Sequence, residues 1–82
     1  MKLYFEDRYG RLREIAKVNN KQDVSKEIIE FLKKYNYTSY YTRSWITEGE
    51  NVTYITYDVG SHTEFFKVEF DNYDAAETFL KA

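Results

Sequence analysis

Three segments with the composition of β-strands follow one another between residues 38 and 70, and only short turns separate them. Residues 38–47, 51–59 and 63–70 are rich in Tyr, Thr, Val, Ile and Phe, the residue types that favour a pleated sheet. The intervening turns are Glu48-Gly49-Glu50-Asn51 and Gly60-Ser61-His62. Because connections this short join antiparallel neighbours, the pattern predicts a sheet that is mostly antiparallel.

Two further strands are predicted at the N-terminus, over residues 2–6 and 11–18, because apolar and polar side chains alternate there with the period of a strand. Asp7-Arg8-Tyr9-Gly10 lies between them as a turn, and Gly10 supplies the left-handed conformation that a tight hairpin needs. The alternation places Leu3 and Phe5 on the buried face of one strand. It places Leu12, Ala16 and Val18 on the buried face of the other.

Helical spacing of apolar residues predicts two helices, one between the second and third strands and one at the C-terminus. The side chains that share the apolar face of the first are Val24, Ile28, Phe31, Leu32 and Tyr35. Asn19-Asn20-Lys21-Gln22-Asp23 offers oxygens to cap its start, and Asn36 suits the left-handed residue after its end. Asp71 or Asn72 is expected to cap the second helix, whose apolar face holds Tyr73, Ala76, Phe79 and Leu80.

The predicted element order is therefore ββαβββα. A chain of 82 residues is too short for two hydrophobic cores, so residues 1–82 are expected to form a single α+β domain. Its two layers would be a five-stranded sheet and a pair of helices on one face. With no cysteine and 20% aromatic residues, the aromatic side chains must supply much of the buried surface.

Composition also limits location and partners. The N-terminal residues become acidic at Glu6 and lack the apolar run of a signal peptide, and no stretch has the length of a membrane span. We therefore expect a cytoplasmic protein with no membrane contact and no cofactor. Twelve basic residues are outnumbered by fourteen acidic ones, giving a net charge of −2. This balance disfavours nucleic acid as a partner, because phosphate neutralisation by basic residues drives such binding.

The strongest candidate for a contact surface is the tyrosine-rich third strand. Tyr41, Arg43 and Trp45 share one face of it, and both faces of a sheet cannot be fully buried in a two-layer domain. Tyr, Trp and Arg are enriched among the residues that dominate binding energy, so the face that carries Arg43 is predicted to be exposed. The alternative interpretation is that Tyr41 and Trp45 are ordinary sheet packing and that Arg43 is a solvated charge.

A second cluster surrounds the turn before the last strand. Asp58, Ser61 and His62 invite comparison with a catalytic triad, but triad members come from separate elements rather than from one turn. Asp58, His62 and Glu64 could also bind a divalent metal, for which one histidine and two carboxylates are a weak signal. The alternative is a turn in which Asp58 or Ser61 accepts backbone N–H groups. Phe65 and Phe66 follow, and their side chains must point to opposite faces of the sheet.

At these residues the sequence resembles a group of short, functionally uncharacterised proteins from bacteriophages and prophages of Gram-positive bacteria. The motifs that carry the resemblance are Ser39-Tyr40-Tyr41-Thr42-Arg43, Trp45, Asp58-Val59-Gly60-Ser61-His62-Thr63-Glu64-Phe65-Phe66, and the opening Met1-Lys2-Leu3-Tyr4-Phe5. The resemblance implies a phage or prophage source and no particular activity. Small phage proteins often bind and divert a host protein, so it also implies a host factor as partner.

These observations favour a non-enzymatic binding protein that uses the aromatic sheet face for protein–protein contact, with a host factor or with a second copy. The expected binding residues are Tyr41, Arg43, Trp45, Asp58, His62 and Glu64. One alternative is a single-stranded nucleic-acid binder that stacks bases on Tyr41 and Trp45 and uses Arg43 and Lys67 for phosphates. Another is a small metal-dependent enzyme or hydrolase centred on His62.

Overall fold

A computed structural model of the chain describes residues 1–36 and 43–82. Within these residues the chain forms five strands and two helices in the predicted order ββαβββα. The elements are β1 (Lys2–Glu6), β2 (Leu12–Lys17), α1 (Lys21–Lys34), β3 (Arg43–Gly49), β4 (Val52–Asp58), β5 (Phe65–Phe70) and α2 (Tyr73–Lys81). The predicted α+β class is confirmed.

The five strands form one sheet in the order β2-β1-β5-β4-β3, and every neighbouring pair is antiparallel. β1 and β5 are the one neighbouring pair that no short turn connects. Their pairing joins the β1–β2 hairpin to the three consecutive strands β3, β4 and β5. Ile46, Ile55, Val68 and Leu3 are consecutive partners across β3, β4, β5 and β1. This row of aliphatic side chains crosses the centre of the buried face.

Both helices cover the same face of the sheet. Phe31 of α1 lies 5.3 Å from the ring centroid of Phe66 and 4.7 Å from that of Phe5. Phe79 of α2 lies 5.1 Å from Phe70, which shares the face of Phe66 because the two are four residues apart on one strand. The hydrophobic core therefore lies between this face and the two helices, and the opposite face carries neither helix. We call the opposite face the open face.

The predicted caps of the helices are present. Asn20 caps α1 by accepting a 2.9 Å hydrogen bond from the N–H of Asp23, and the Asp23 carboxylate accepts a second from the N–H of Asn19, the residue before the cap. Asn36, just after α1, has φ 59°, the left-handed conformation expected of it. Asn72, rather than Asp71, caps α2 by accepting from the N–H of Ala75. The Asn20 and Asn72 side chains thus satisfy N–H groups of the first turn that have no partner inside the helix.

The alternation predicted for β2 is wrong at Leu12. Leu3 pairs with Ala16 but Tyr4 pairs with Glu14, so Ile15 is an extra residue in the ladder. Such a bulge reverses the alternation beyond it. Leu12 pairs with Glu6 on the open face and is 39% exposed, whereas Arg13 turns to the helix side, with its guanidinium 5.9 Å from the Phe31 ring centroid.

Several predicted boundaries also shift. β3 continues through Gly49, which lay in the predicted turn, and β5 begins at Phe65 rather than at residue 63. Residues 38–42 of the predicted third strand lie outside the described residues. Tyr73, expected on the apolar face of α2, is 45% exposed at the first residue of the helix, whereas Ala76 of the same face is fully buried. No helix within the described ranges has the length and apolar character needed to cross a membrane.

Candidate functional site

The open face has aromatic side chains on four of the five strands. Tyr4, Trp45, Tyr54 and Phe65 are all half-buried there. The register fixes their arrangement, because Trp45 pairs with Thr56, Thr56 with Lys67, and Lys67 with Tyr4. A single row thus runs from Trp45 across the sheet to Tyr4, with Tyr54 and Phe65 on either side of it.

Trp45, Phe65 and Arg43 form one end of this surface. The Trp45 and Phe65 rings meet edge to face, with centroids 6.3 Å apart and planes at 81°. The Arg43 guanidinium carbon lies 5.1 Å from the Trp45 ring centroid, within range of a cation–π interaction. Phe65 and Phe66 point to opposite faces, as expected from their adjacency, and the structure shows that Phe66 is the buried one while Phe65 lies beside Trp45 on the open face.

Arg43 is also tied to a buried carboxylate. Its Nη2 donates to Asp58 Oδ2 at 3.1 Å, and the N–H of Gly60 donates to Asp58 Oδ1 at 2.8 Å. Only 5% of the Asp58 side chain is exposed, whereas 59% of the Arg43 side chain is. The hydrogen bond from Gly60, followed by the contact with Arg43, lowers the pKa of Asp58 although burial opposes this. Asp58 therefore holds the guanidinium in place as an ionised group.

A second ion pair lies near the centre of the open face. Lys67 Nζ is 3.1 Å from Glu6 Oε2, and the two side chains are only 17% and 20% exposed. The same ammonium lies 5.2 Å from the centroid of the Tyr54 ring. Beside this pair, the Thr47 and Thr56 hydroxyls are 2.9 Å apart and hydrogen-bonded. The polar groups at the centre of the face are thus largely satisfied within the chain.

The two tyrosines of the open face lie among carboxylates. Burial, and then the charges of Glu69 and Glu14, raises the pKa of Tyr4. Burial and Glu69 are likewise the first causes of the raised pKa of Tyr54. A phenol surrounded by negative charge resists ionisation, so both side chains stay neutral hydrogen-bonding groups at neutral pH.

The turn between β4 and β5 is organised by hydrogen bonds within the chain. Ser61 Oγ accepts from the N–H of Glu64 at 3.2 Å and donates to its carboxylate at 3.4 Å. Gly60 has φ 93°, and the exposed His62 also has a left-handed φ of 67°. Asp58 and Ser61 both accept backbone N–H groups, as the alternative interpretation of this segment predicted.

Asp58, His62 and Glu64 do not form a metal site, although the charge of His62 is one of the lesser causes that lower the pKa of Asp58. Among residues 1–36 and 43–82, no three His, Asp or Glu side chains are placed to hold a metal ion. Asp58 is buried and points towards Gly60 and Arg43, while His62 is exposed on the turn. The involvement of these three residues in binding stays a prediction.

Of the residues expected to make the contact surface, Arg43 and Trp45 lie together on the open face, and Tyr41 lies outside the described residues. The sequence reasoning missed Tyr4 and Tyr54. The alternation of β4 could have predicted the position of Tyr54. Thr53, Ile55 and Tyr57 are buried on the helix side, so Tyr54, which lies between them in sequence, must point to the open face. Tyr4 has the same relation to Leu3 and Phe5.

Comparisons of the chain with protein-family models, with curated proteins and with solved structures each give no match. The chemistry of the open face is therefore the basis on which a function can be inferred.

Proposed function

We propose that this chain is a non-enzymatic binding protein that uses the open face for protein–protein contact in the cytoplasm. Its partner is a host factor or a second copy of the chain, and the resemblance to phage and prophage proteins favours the host factor. The observation that carries the proposal is the set of four half-buried aromatic side chains, on four different strands, on a sheet face that neither helix covers.

The composition of the open face supports this function. An antiparallel sheet with one solvated face is usually polar on that face, but here Tyr4, Trp45, Tyr54 and Phe65 occupy it. Apolar surface left without cover on one face of a domain is typical of interaction sites. Arg43 adds a cation whose guanidinium is already oriented by Asp58 and by the Trp45 ring, so little conformational freedom is lost when a partner contacts it.

The charges of the open face support a protein rather than a nucleic acid as partner. The two cations that would meet phosphates, Arg43 and Lys67, each form an ion pair at 3.1 Å with a carboxylate of the same face. To bind a phosphate, each would have to leave that partner. The face also carries the carboxylates of Glu14 and Glu69, which would repel a polyanion.

The proposal is tested by replacing side chains of the open face with alanine and measuring how strongly the chain still binds its protein partner. We expect Trp45→Ala and Arg43→Ala each to weaken binding to the protein captured by the wild type by about tenfold or more, as for residues central to an interface. Tyr9→Ala is the matched control, because Tyr9 is an aromatic residue 75% exposed at the tip of the β1–β2 hairpin, away from the open face. Circular dichroism verifies that each variant is folded.

Self-association is distinguished by light scattering after size-exclusion chromatography. A wild-type dimer that Trp45→Ala converts to monomer assigns the open face to a second copy. If Trp45→Ala and Arg43→Ala retain both the oligomeric state and every protein contact of the wild type, the open face is not the binding surface. Quenching of Trp45 fluorescence by a short oligonucleotide at low salt would instead support the nucleic-acid alternative.

A further inference from the structure

β2 is an edge strand whose outer side has no hydrogen-bonding partner. It is the first strand of the order β2-β1-β5-β4-β3, so β1 is its single neighbour among the described strands. Outside that pairing, no described residue forms a hydrogen bond with the backbone of Leu12–Lys17. The pairing with β1 is regular over Leu12–Glu14 and is interrupted by the bulge at Ile15. A short, regular row of backbone N–H and C=O groups therefore faces away from the sheet.

A groove lies along this edge, between β2 and one flank of α1. Its volume is about 290 Å³. β2 contributes Arg13 and Ile15, and α1 contributes five side chains that recur every three or four residues along one side of the helix, Glu27, Glu30, Phe31, Lys34 and Tyr35. The helix rises about 12 Å over these residues, the length of about three to four residues of an extended strand.

The floor of the groove is apolar. The ring centroids of Phe31 and Tyr35 are 4.6 Å apart, and Ile15 adds an aliphatic surface. Phe31 also packs on the rings of Phe5 and Phe66, so its position is fixed by the core. An apolar floor with a few polar groups around it suits a large apolar side chain.

The walls of the groove carry opposite charges at its two ends. Glu27 and Glu30 come earlier along α1, and Lys34 is its last residue. The Arg13 guanidinium and the Lys34 ammonium lie 5.9 Å and 5.5 Å from the centroids of the two floor rings. None of these four charged groups forms an ion pair with a described residue. The acidic and basic ends are about 10 Å apart along the helix, so the groove is complementary to a segment with one cation and one carboxylate.

We infer that the groove binds an extended segment of a partner protein, which pairs antiparallel with Leu12–Glu14 and places one aromatic side chain on the floor. In strand addition, backbone hydrogen bonds give affinity and pockets for alternate side chains give specificity. A helical segment would leave the edge of β2 unpaired, because its own backbone groups are bonded to one another. The groove lies on the helix side of the sheet and is a second surface, independent of the open face in the proposed function.

The direction of β2 sets the order of side chains on the segment. α1 runs back along β2, since Arg13 near the start of β2 contacts Phe31 in the second half of α1. The basic end of the groove is therefore at the start of β2, where an antiparallel segment ends. The segment carries its cation before the aromatic residue and its carboxylate after it, at alternate positions that point to the same side.

The probe is a capped seven-residue peptide of serine and threonine with lysine, phenylalanine and glutamate at alternate positions, in that order. It is titrated to millimolar concentration into the isotopically labelled protein and followed by NMR. We expect the amide resonances of Leu12, Arg13 and Glu14 to shift while the indole N–H of Trp45 stays in place. Alanine in place of phenylalanine should weaken binding by about fivefold or more, because the ring supplies most of the buried apolar surface.

Two isomers of the probe test the backbone pairing. Alternate residues of a strand direct their N–H and C=O groups to the same neighbour. One isomer is N-methylated at lysine, phenylalanine and glutamate, and the other at the two threonines. We expect one isomer to lose binding and the other to keep it. Equal binding of the two isomers, or an absence of any shift with the unmodified probe, would show that no strand is added to β2.

Tyr35→Ala should weaken binding of the probe by about fivefold, as for the loss of one partly exposed aromatic contact. Tyr73→Ala is the matched control, because Tyr73 is 45% exposed and Tyr35 is 47% exposed while Tyr35 alone of the two lines the groove. Trp45→Ala should also bind the probe as the wild type does. Wild-type affinity in Tyr35→Ala, or an equal loss in either control, would overturn the inference.

Lys34→Glu tests the direction of the segment. It should weaken binding of the probe and strengthen binding of a peptide with lysine in place of the glutamate, because the charge at this end of the groove is reversed. Unchanged preference between the two peptides would refute the antiparallel arrangement. Movement of the β2 resonances with protein concentration alone would also contradict the inference, because a second copy would then occupy the groove.

Discussion

Replacing the adjacent residues Phe65 and Phe66 one at a time tests which face of the sheet is the core. Phe66 is 1% exposed, and its ring contacts those of Phe5 at 5.5 Å and Phe31 at 5.3 Å. Phe65 is half-buried on the open face, where its ring contacts Trp45. The same substitution at neighbouring positions therefore removes a core side chain in one case and a surface side chain in the other.

We expect Phe66→Ala to lower the free energy of unfolding by about 3–5 kcal/mol, the sum of the lost burial and the cavity left behind. A domain of this length typically has about 4–12 kcal/mol in total, so this variant would lose a large fraction of its stability. Phe65→Ala should cost about 1–2 kcal/mol, because its ring remains partly in water and leaves no enclosed cavity.

The assay is urea denaturation followed by far-ultraviolet circular dichroism, which avoids the direct effect of Phe65 on Trp45 fluorescence. Phe66→Leu, with an expected loss of about 1–2 kcal/mol, provides a measurable variant if Phe66→Ala does not fold. Equal destabilisation by Phe65→Ala and Phe66→Ala would refute the assignment of the open face. A larger effect at Phe65 would show that the helices cover the opposite side of the sheet.

Two further predictions concern stability alone. Asp58→Asn should lower the free energy of unfolding by about 1 kcal/mol at neutral pH, because the buried carboxylate loses its ion pair with the largely exposed Arg43. The pKa of Asp58 is lowered from 3.8 in the folded protein, so its contribution is complete above that pH and is lost as the pH falls through the folded-state pKa. The free energies of unfolding of wild type and variant should therefore become equal in acid. A difference that persists there would contradict the assignment of the effect to the ionised Asp58 carboxylate. Asn20→Ala should cost about 1 kcal/mol by removing the α1 cap, measurable as a lower thermal midpoint, whereas unchanged stability would mean that the hydrogen bond to the Asp23 N–H contributes nothing.

The contact surface was only partly predictable from sequence. Arg43 and Trp45 were expected to share an exposed face because they are two residues apart on a strand, whereas adjacency predicted only that Phe65 and Phe66 point to opposite faces. The ion pairs that Lys2 and Lys67 form with Glu14 and Glu6 carried no signal, because they depend on which strands are neighbours in the sheet.

Local chemistry by itself determined the elements of this protein. The alternation of β1, the hairpin turn at Gly10, the left-handed Asn36 and the segments that cap the two helices follow from interactions within a few residues, so sequence was sufficient to predict them. Tertiary structure decided the rest. The bulge at Ile15 moved Leu12 to the open face, and the pairing of β1 with β5 brought Tyr4 next to Lys67 and Glu69. Register between distant strands depends on how the whole sheet buries its apolar side chains against α1 and α2, and no single segment contains that information.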